Sequence, residues 1–278
     1  MKLSLTALAV LIAFFAQTPA SAADTVRIAT FNIQNLGKTK INKPSIRKYL
    51  ATVIRKFDIV AVQEVSDISE TVPGLFLEEI NRTGRSYNYV LSERTGRQAD
   101  DQGGQEQYAY YYNTDRIEVA DEGGLFDDSA DDFFQREPFT AQFALAGTSF
   151  TLTITSIHTR PESAVEEIGA LHDVYLDLTE RYPGDTHHLI LGDFNAGCTY
   201  ASPAELDALD IRSADYHWIV PDDADTNVNP ANACAYDRIV ANEGLSGHFK
   251  RWGIADWFTD KRISDHWPVW VTFNTESQ

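Results

Sequence analysis

His187-His-Leu-Ile-Leu-Gly-Asp-Phe-Asn195 is the stretch on which the fold turns. His187 to Leu191 reads as an apolar strand, and it runs straight into Gly192-Asp193-Phe194-Asn195. Before it lies the best helix in the chain, Glu162 to Tyr182. There Val165, Ile168, Leu171, Tyr175 and Leu178 recur at helical spacing, and Pro183-Gly184 ends the run. The same order occurs earlier. Pro44 to Phe57 carries Ile46, Leu50, Val53, Ile54 and Phe57 on one stripe, and Asp58-Ile-Val-Ala-Val-Gln-Glu64 follows it. Twice, therefore, a helix leads into a buried strand that ends in a carboxylate. Strands that deliver carboxylates at their C-terminal ends are what a metal site in an α/β sandwich requires.

Outward from these units, Thr25 to Ile33 alternates at period two and predicts a strand. Tyr87 to Leu91 and Tyr108 to Tyr112 read as β segments around a polar, Gly-rich loop, Ser92 to Gln107. Residues 121–132 read as an acidic loop. Phe139 to Ala146 and Ser149 to His158 form a hairpin turning at Ala146-Gly147. Asp237 to Ala241 and His266 to Phe273 are the last predicted strands. No Pro-, Ser- or Gly-rich linker interrupts the chain, so residues 23–278 are expected to form one domain.

Residues 1–22 read as a cleaved signal peptide, with Lys2 as its positive region, Leu3 to Ala16 as its apolar run and Ala20-Ser-Ala22 as its cleavage pattern. The expectation is a secreted protein with no membrane span. The chain has 278 residues and a formal charge of −18, which becomes −19 if Lys2 leaves with the leader. This acidity excludes a general polyanion glue, although a few local cations can still hold phosphate. Two cysteines exclude a disulfide scaffold and a four-cysteine zinc site. In an exported chain Cys198 and Cys234 are the one pair that could bond.

The polar residues at predicted strand ends are Asn32, Glu64, His158, Asp193, Asn195, Asp237, Asp265 and His266. Glu64, Asp193 and Asp265, with the amides of Asn32 and Asn195, offer the oxygen ligands that Mg²⁺ (or Mn²⁺) prefers. Splitting a phosphodiester also needs a base for water, an acid for the leaving oxygen and cations over the developing charge. His158 and His266 can act as acid and base, with Glu106 and Asp237 to orient the rings and raise their pKa values.

These motifs together resemble the deoxyribonuclease I branch of the endonuclease/exonuclease/phosphatase superfamily. The matching stretches are Ala29-Thr-Phe-Asn-Ile33, Asp58 to Val65, Arg136-Glu-Pro138, His158 with the helix through Asp173-Val-Tyr-Leu-Asp177, Gly192-Asp-Phe-Asn-Ala196, Cys198-Thr-Tyr200, Cys234-Ala-Tyr-Asp-Arg-Ile-Val240 and Ser264-Asp-His-Trp-Pro-Val269. They run in the family's order over nearly the whole mature chain. The resemblance implies a four-layer α/β/β/α sandwich of two mainly antiparallel sheets flanked by helices. It implies an endonuclease on double-stranded DNA that leaves 5′-phosphates; a monomer is expected, and no protein partner is inferred.

The resemblance also implies site roles. His158 and His266 would be the acid–base pair, with Glu106 and Asp237 as carboxylate partners. Asn32, Glu64 and Asp265 would surround one divalent ion. Asp193 and Asn195 would stabilise the phosphate, with a second ion as an option. Arg136 and Tyr236 would touch the DNA backbone, and Cys198–Cys234 would be a structural disulfide. Structural Ca²⁺ would sit with Asp128, Asp132, the Phe134 carbonyl and Glu137, or with Asp225 and Asn227. Some positions depart from the pattern. Gln34 and Ser66 stand where the family has arginines, Gly104 where it has a tyrosine, and the acidic loop lacks a Cys-x-x-Cys bridge. Arg160 stands where a small residue is usual and is a candidate replacement phosphate contact.

Rival readings are a sphingomyelinase or inositol-phosphate enzyme of the same superfamily, a catalytically dead binding module, and a secreted acidic calcium-binding protein. A lipid enzyme should carry an exposed apolar hairpin, and an inositol-phosphate enzyme extra Lys and Arg; the chain shows neither. A dead module predicts gaps in the acid–base and metal set, and none is visible. High acidity with few cationic contacts further suggests tolerance of salt.

Overall fold

The structure is a computed structural model, and it describes residues 25–97, 104–229, 231 and 233–276. The predicted leader, 1–22, lies outside them. The strands are β1 (Thr25–Asn32), β2 (Ile59–Val65), β3 (Tyr87–Leu91), β4 (Gln107–Asn113), β5 (Ile117–Leu125), β6 (Phe139–Leu145), β7 (Thr151–His158), β8 (His188–Asp193), β9 (Tyr216–Trp218), β10 (Asp237–Asn242), β11 (Phe249–Ile254) and β12 (Val269–Asn274). The helices are α1 (Lys38–Ile41), α2 (Pro44–Ile54), α3 (Val72–Asn81), α4 (Ala164–Arg181), α5 (Pro203–Leu206) and α6 (Glu243–Ser246).

Period-two alternation sets the layers. On β1, Val26 and Ile28 face a core shared between two sheets, while Ala29 and Phe31 face a second core under the helices. One sheet has the order β11-β12-β1-β2-β4-β3, the other β5-β6-β7-β8-β10-β9. Each contains one parallel pair, β1–β2 and β7–β8, and is otherwise antiparallel. The stripe Ile46, Leu50, Val53 and Ile54 of α2 packs with Phe76 and Ile80 of α3 on the outside of the first sheet. Ile168, Leu171 and Val174 of α4 cover the second. The result is the expected four-layer sandwich.

Polar groups lock the two sheets in register. Gln63 Nε2 donates to Ser156 Oγ at 2.8 Å and Gln63 Oε1 accepts from Thr30 Oγ1 at 3.1 Å. The Tyr110 hydroxyl lies 2.7 Å from the Phe139 carbonyl and 2.9 Å from that of Ile154. Cys198 and Cys234 are bonded, with Cα atoms 5.5 Å apart and a sequence separation of 36. Closing a loop of that length stabilises a fold by about 3–4 kcal/mol in the chain-entropy account.

Several elements depart from the sequence reading. Residues 121–125 are not loop; they finish β5, an edge strand whose pairing with β6 is interrupted twice. Charges and bulges on an edge strand guard it against pairing with another chain, and the same features disguise it as a loop. Helix α3 was unexpected because Pro73 and Gly74 resemble a turn. Pro is at home in a first helical turn, and Asp67 accepts from the Thr71 and Val72 amides at 2.8 and 2.9 Å. The last strand begins at Val269, not His266. Pro268 has no N–H to give a ladder, and His266 makes only an isolated bridge with Asn227. Strands β9 and β11 were not anticipated.

At the strand starts, Phe150, His187 and His248 form an aromatic trio. Ring centroids are 4.6 Å apart for Phe150–His187 and 4.8 Å for His187–His248. His187 Nδ1 lies 2.9 Å from the Thr151 carbonyl. Burial first, then the neighbouring imidazoles of His248 and His188, lower the His187 pKa against the opposing pull of the Thr151 carbonyl and Asp185. The unfolded chain, with an ordinary pKa of about 6.5, therefore binds the proton first as pH falls. Stability from this group is present above about pH 6.5 and is lost as the pH falls through the lower folded value. Urea midpoints of the wild type and His187→Gln between about pH 7.5 and 5 should converge on acidification. A constant gap between the two would remove His187 from the pH response.

Candidate active site

The two parallel pairs place four strand C-termini along one edge of the sandwich. Asn32 and Gln63 are register partners in one sheet, and His158 and Asp193 in the other. Antiparallel β10 then sets Asp237 opposite Asp193. Close approach of β7 and β8 depends on Gly192, with φ +152°, where an added Cβ would lie 1.9 Å from the Ile157 carbonyl oxygen.

Asp193 is the hub. Only 2% exposed, it accepts from Asn32 Nδ2 at 2.9 Å and from the Asn195 amide at 3.0 Å. His158 Nε2 lies 3.6 Å from it and His266 Nε2 3.5 Å. Burial opposes its charge, but the two imidazoles and these donors outweigh that and hold its pKa below the ordinary aspartate value.

Each imidazole has its own carboxylate behind it. His158 Nδ1 is 2.9 Å from Glu106 Oε2, and His266 Nδ1 is 2.9 Å from Asp237 Oδ2. Burial works against protonation of both rings. For His266, Asp237 and then Asp193 overcome it and push the pKa up to about 10. His158 is raised also, chiefly by Glu106. Three groups the sequence reading missed fix this frame. The Tyr108 hydroxyl accepts from the His158 amide at 3.0 Å. Thr226 Oγ1 accepts from the Asp237 amide at 3.1 Å. Ser264 Oγ donates to the Asn32 carbonyl at 2.7 Å and accepts from the His266 amide at 3.0 Å. Ser264 lay inside a quoted motif and Thr226 beside Asp225, so position was the available signal; Tyr108 looked like any strand tyrosine.

On the other side of Asp193, Glu64 has φ +60°, a conformation that costs about 1–2 kcal/mol for a residue with a Cβ. It is held there by Asn32 Nδ2 on Oε1 at 2.9 Å and the Asn35 amide on Oε2 at 2.7 Å. Lys40, 9% exposed, donates to the Ile33 and Ile263 carbonyls, tying the segment after Asn32 to the one before Asp265. Burial lowers its pKa to about 8 despite the pull of Glu64 and Asp265. Asp265 Oδ1 is buried and has no hydrogen-bond partner. A buried carboxylate oxygen with no protein donor among the described residues suits a hard divalent cation. Ligand atoms of Asp193, Asp237 and His266 also cluster within 4.8 Å. Because His266 Nδ1 is taken by Asp237, this trio fits a hydrogen-bonded relay better than a cation cage.

Other expected residues fall around this centre. Asn195, with φ +47°, donates from Nδ2 to the Thr159 carbonyl at 3.0 Å. Arg136 reaches the His158 and Thr159 carbonyls at 3.0 and 3.3 Å and lies 3.6 Å from Glu106, so it braces the site floor. The Tyr236 ring is 6.0 Å from that of His266. Arg160 is half exposed and paired with Glu162 at 3.0 Å.

Asp128, Asp132 and Glu137 line one cavity of about 500 Å³. There the Phe134 amide donates to Asp128 at 2.7 Å, Asp132 pairs with Arg97 at 3.4 Å, and Glu137 meets the Thr95 hydroxyl. Asp225 is engaged by the Asn227 and Cys234 amides at 3.3 and 3.4 Å.

Comparison with known proteins agrees with this geometry. The model of the Endonuclease/Exonuclease/phosphatase family matches residues 29–266. Deoxyribonuclease-1 of Mus musculus is 35% identical over 269 residues, covering 90% of this chain and 92% of that protein. Deoxyribonuclease-1-like 2 of the same organism is 36% identical, covering 91% and 93%. Among solved structures, an endonuclease/exonuclease/phosphatase family protein from Bacteroides thetaiotaomicron superposes with a TM-score of 0.65 at 18% identity, covering 91% of this chain and 99% of that one. With two sheets, strand-end carboxylates and paired imidazoles in one frame, the chain belongs to the Endonuclease/Exonuclease/phosphatase family.

Proposed function

We propose that this protein is a divalent-metal-dependent endonuclease that hydrolyses phosphodiester bonds of double-stranded DNA. The carrying observation is the pair of imidazole–carboxylate dyads facing one buried carboxylate, with His158 and His266 3.6 and 3.5 Å from Asp193. Relatives named as deoxyribonucleases support DNA as the substrate.

His158 Nε2 takes a proton from the attacking water while Glu106 holds Nδ1–H. Water oxygen bonds to phosphorus, and the bond from phosphorus to the 3′ oxygen breaks. His266, the more strongly held cation, gives its Nε2 proton to that oxygen while Asp237 stabilises the ring. The products are a 5′-phosphate and a 3′-hydroxyl. Asn195 and Tyr236 orient the phosphate, Arg136 would touch it only from the site floor that it braces, and Arg160 would reach it only by leaving Glu162. Asn32, Glu64 and Asp265 would hold Mg²⁺ or Mn²⁺, which neutralises charge on the phosphate oxygens. Asp193 and Asn195 border a position for a second ion. Ca²⁺ would take the cavity of Asp128, Asp132 and Glu137 as a structural ion. We further infer a monomer of one catalytic domain, exported by its leader; no helix among the described residues is long and apolar enough to cross a membrane.

Plasmid nicking tests the reading. Replacing His158 or His266 with Ala should lower turnover by about 10²–10⁴-fold or more, as expected for loss of a general acid or base. EDTA should abolish cutting. Full activity in either variant removes that histidine from the mechanism, and cutting in EDTA removes the metal.

Salt provides a second test. At a formal charge of −18, the protein repels DNA at long range, and salt screens this over a Debye length of about 10 Å at 0.1 M. Salt also weakens phosphate contacts, with a slope of about −0.9 per contact. Few contacts and strong repulsion should nearly cancel, so initial rates should hold or rise toward about half-molar NaCl, where the Debye length is a few ångströms. A steep, monotonic fall would refute salt tolerance.

A further inference from the structure

The chain's charge is sharply segregated. Residues 25–57 contain eight Lys and Arg and no Asp or Glu, although the whole chain carries 41 acids. This run forms β1, α1 and α2; Lys40 is buried, while Lys43, Lys48 and Lys56 remain on the surface of α2 and its ends. Lys43, at the start of α2, and Lys48 and Lys56 are exposed and make no ion pair among the described residues. Lys48, Thr52 and Lys56 follow one another at four-residue spacing, which aligns them along one side of the helix and its final turn. Two of the neighbouring acids are already engaged, while Glu78 of α3 is exposed. Glu79 is 3.0 Å from both Arg47 and Arg82, and Asp67 accepts from the Thr71 and Val72 amides. Asp256 is the exposed acid on the adjoining loop, where the Trp257 carbonyl accepts from Tyr49 at 2.9 Å.

Because α2 connects the parallel strands β1 and β2, it runs back from their C-terminal edge, and its start at Lys43 is the end nearer the active site. Lys38, at the head of α1, lines a groove of about 670 Å³ with Asn35, Ser66 and Ser69. The Asn35 amide in that groove is bonded to Glu64 at 2.7 Å. We propose that Lys43, Lys48 and Lys56 form an accessory track for the phosphate backbone of DNA, continuing from the groove beside Glu64 along α2.

Two observations favour nucleic acid over a membrane. Lys43 stands at one end of α2 and Lys48 and Lys56 along one side of it, and an eleven-residue helix is about 16 Å long, the rise of about five base pairs. Membrane-surface helices also need an apolar face to insert, whereas Ile46, Leu50, Val53 and Ile54 of α2 are all buried in the core. The track gives an acidic enzyme an attractive side, so incoming DNA is oriented before any contact forms.

This inference rests on DNA being the substrate, and the test separates the two claims. Lys43→Glu, Lys48→Glu and Lys56→Glu are combined, with a triple Gln variant as the milder version should the first not fold. Plasmid cleavage is compared with hydrolysis of bis(p-nitrophenyl) phosphate, which is too small to reach the ridge. Plasmid KM should rise about tenfold or more, and the slope of log(kcat/KM) against log salt should shift in the positive direction by up to about 2.7, three contacts at 0.9 each. The rate on the small diester should not change. Unchanged plasmid KM and salt slope would overturn the track, as would an equal loss on both substrates. Loss of binding to phosphatidylglycerol vesicles with plasmid KM intact would reassign the ridge to anionic surfaces. A wild type that cuts the small diester but not DNA would instead refute the nuclease reading.

Discussion

A single buried carboxylate governs the arrangement of this protein. Asp193 sits at the end of β8 with two imidazoles, a side-chain amide and a backbone amide converging on it. An uncompensated charge in such a place would cost several kcal/mol (about 3–5 when a buried partner is removed), so the surrounding elements are constrained to deliver its partners. Asn32 must come from the first sheet and His158 from the second, and His266 must come from the segment leading into β12. The constraint is mutual. The charge that Asp193 keeps adds to those of Glu106 and Asp237 in raising the two rings, so the acid–base pair and the carboxylate support one another.

Much of this was legible before any coordinates. A buried strand ending in Gly-Asp-Phe-Asn, preceded by an amphipathic helix, fixes both layer and polarity, because the period of the apolar residues reports which face is covered. The strand-end residues were readable for the same reason: polar groups after a fully apolar run have only one place to go, the rim of the sheet. Less legible were the groups that hold them. Tyr108 lies in a run of strand tyrosines, and its role depends on the opposite sheet, which no local pattern encodes. Lys40 is one lysine among several, and its burial follows from two carbonyls more than two hundred residues apart in sequence.

Misread elements share a cause. β5 carries the charges and glycines that an edge strand uses to stay unpaired, and α3 opens with the Pro and Gly of a turn. In both, residues chosen against the wrong interaction mimic the absence of structure. β11 is hidden similarly: Gly253 interrupts its pattern, yet a Cβ there would lie 2.7 Å from the Trp270 ring, so the glycine is what allows the ring to lie over the strand.

The phenols between the sheets have a mechanical consequence. Tyr110 and Tyr108 rise from β4 and end on the backbone of the second sheet. Hydrophobic contact alone would let two sheets glide past each other with little change in buried area, since it has no direction. A hydroxyl seated on a particular carbonyl or amide does have direction, and it acts as a dowel against shear. The reactive groups are divided between the two sheets, so a slip of one residue would separate Asn32 from Asp193 while leaving both cores greasy and nearly intact. The dowels therefore preserve alignment at the seam, and they leave the surrounding loops free to diverge without disturbing it.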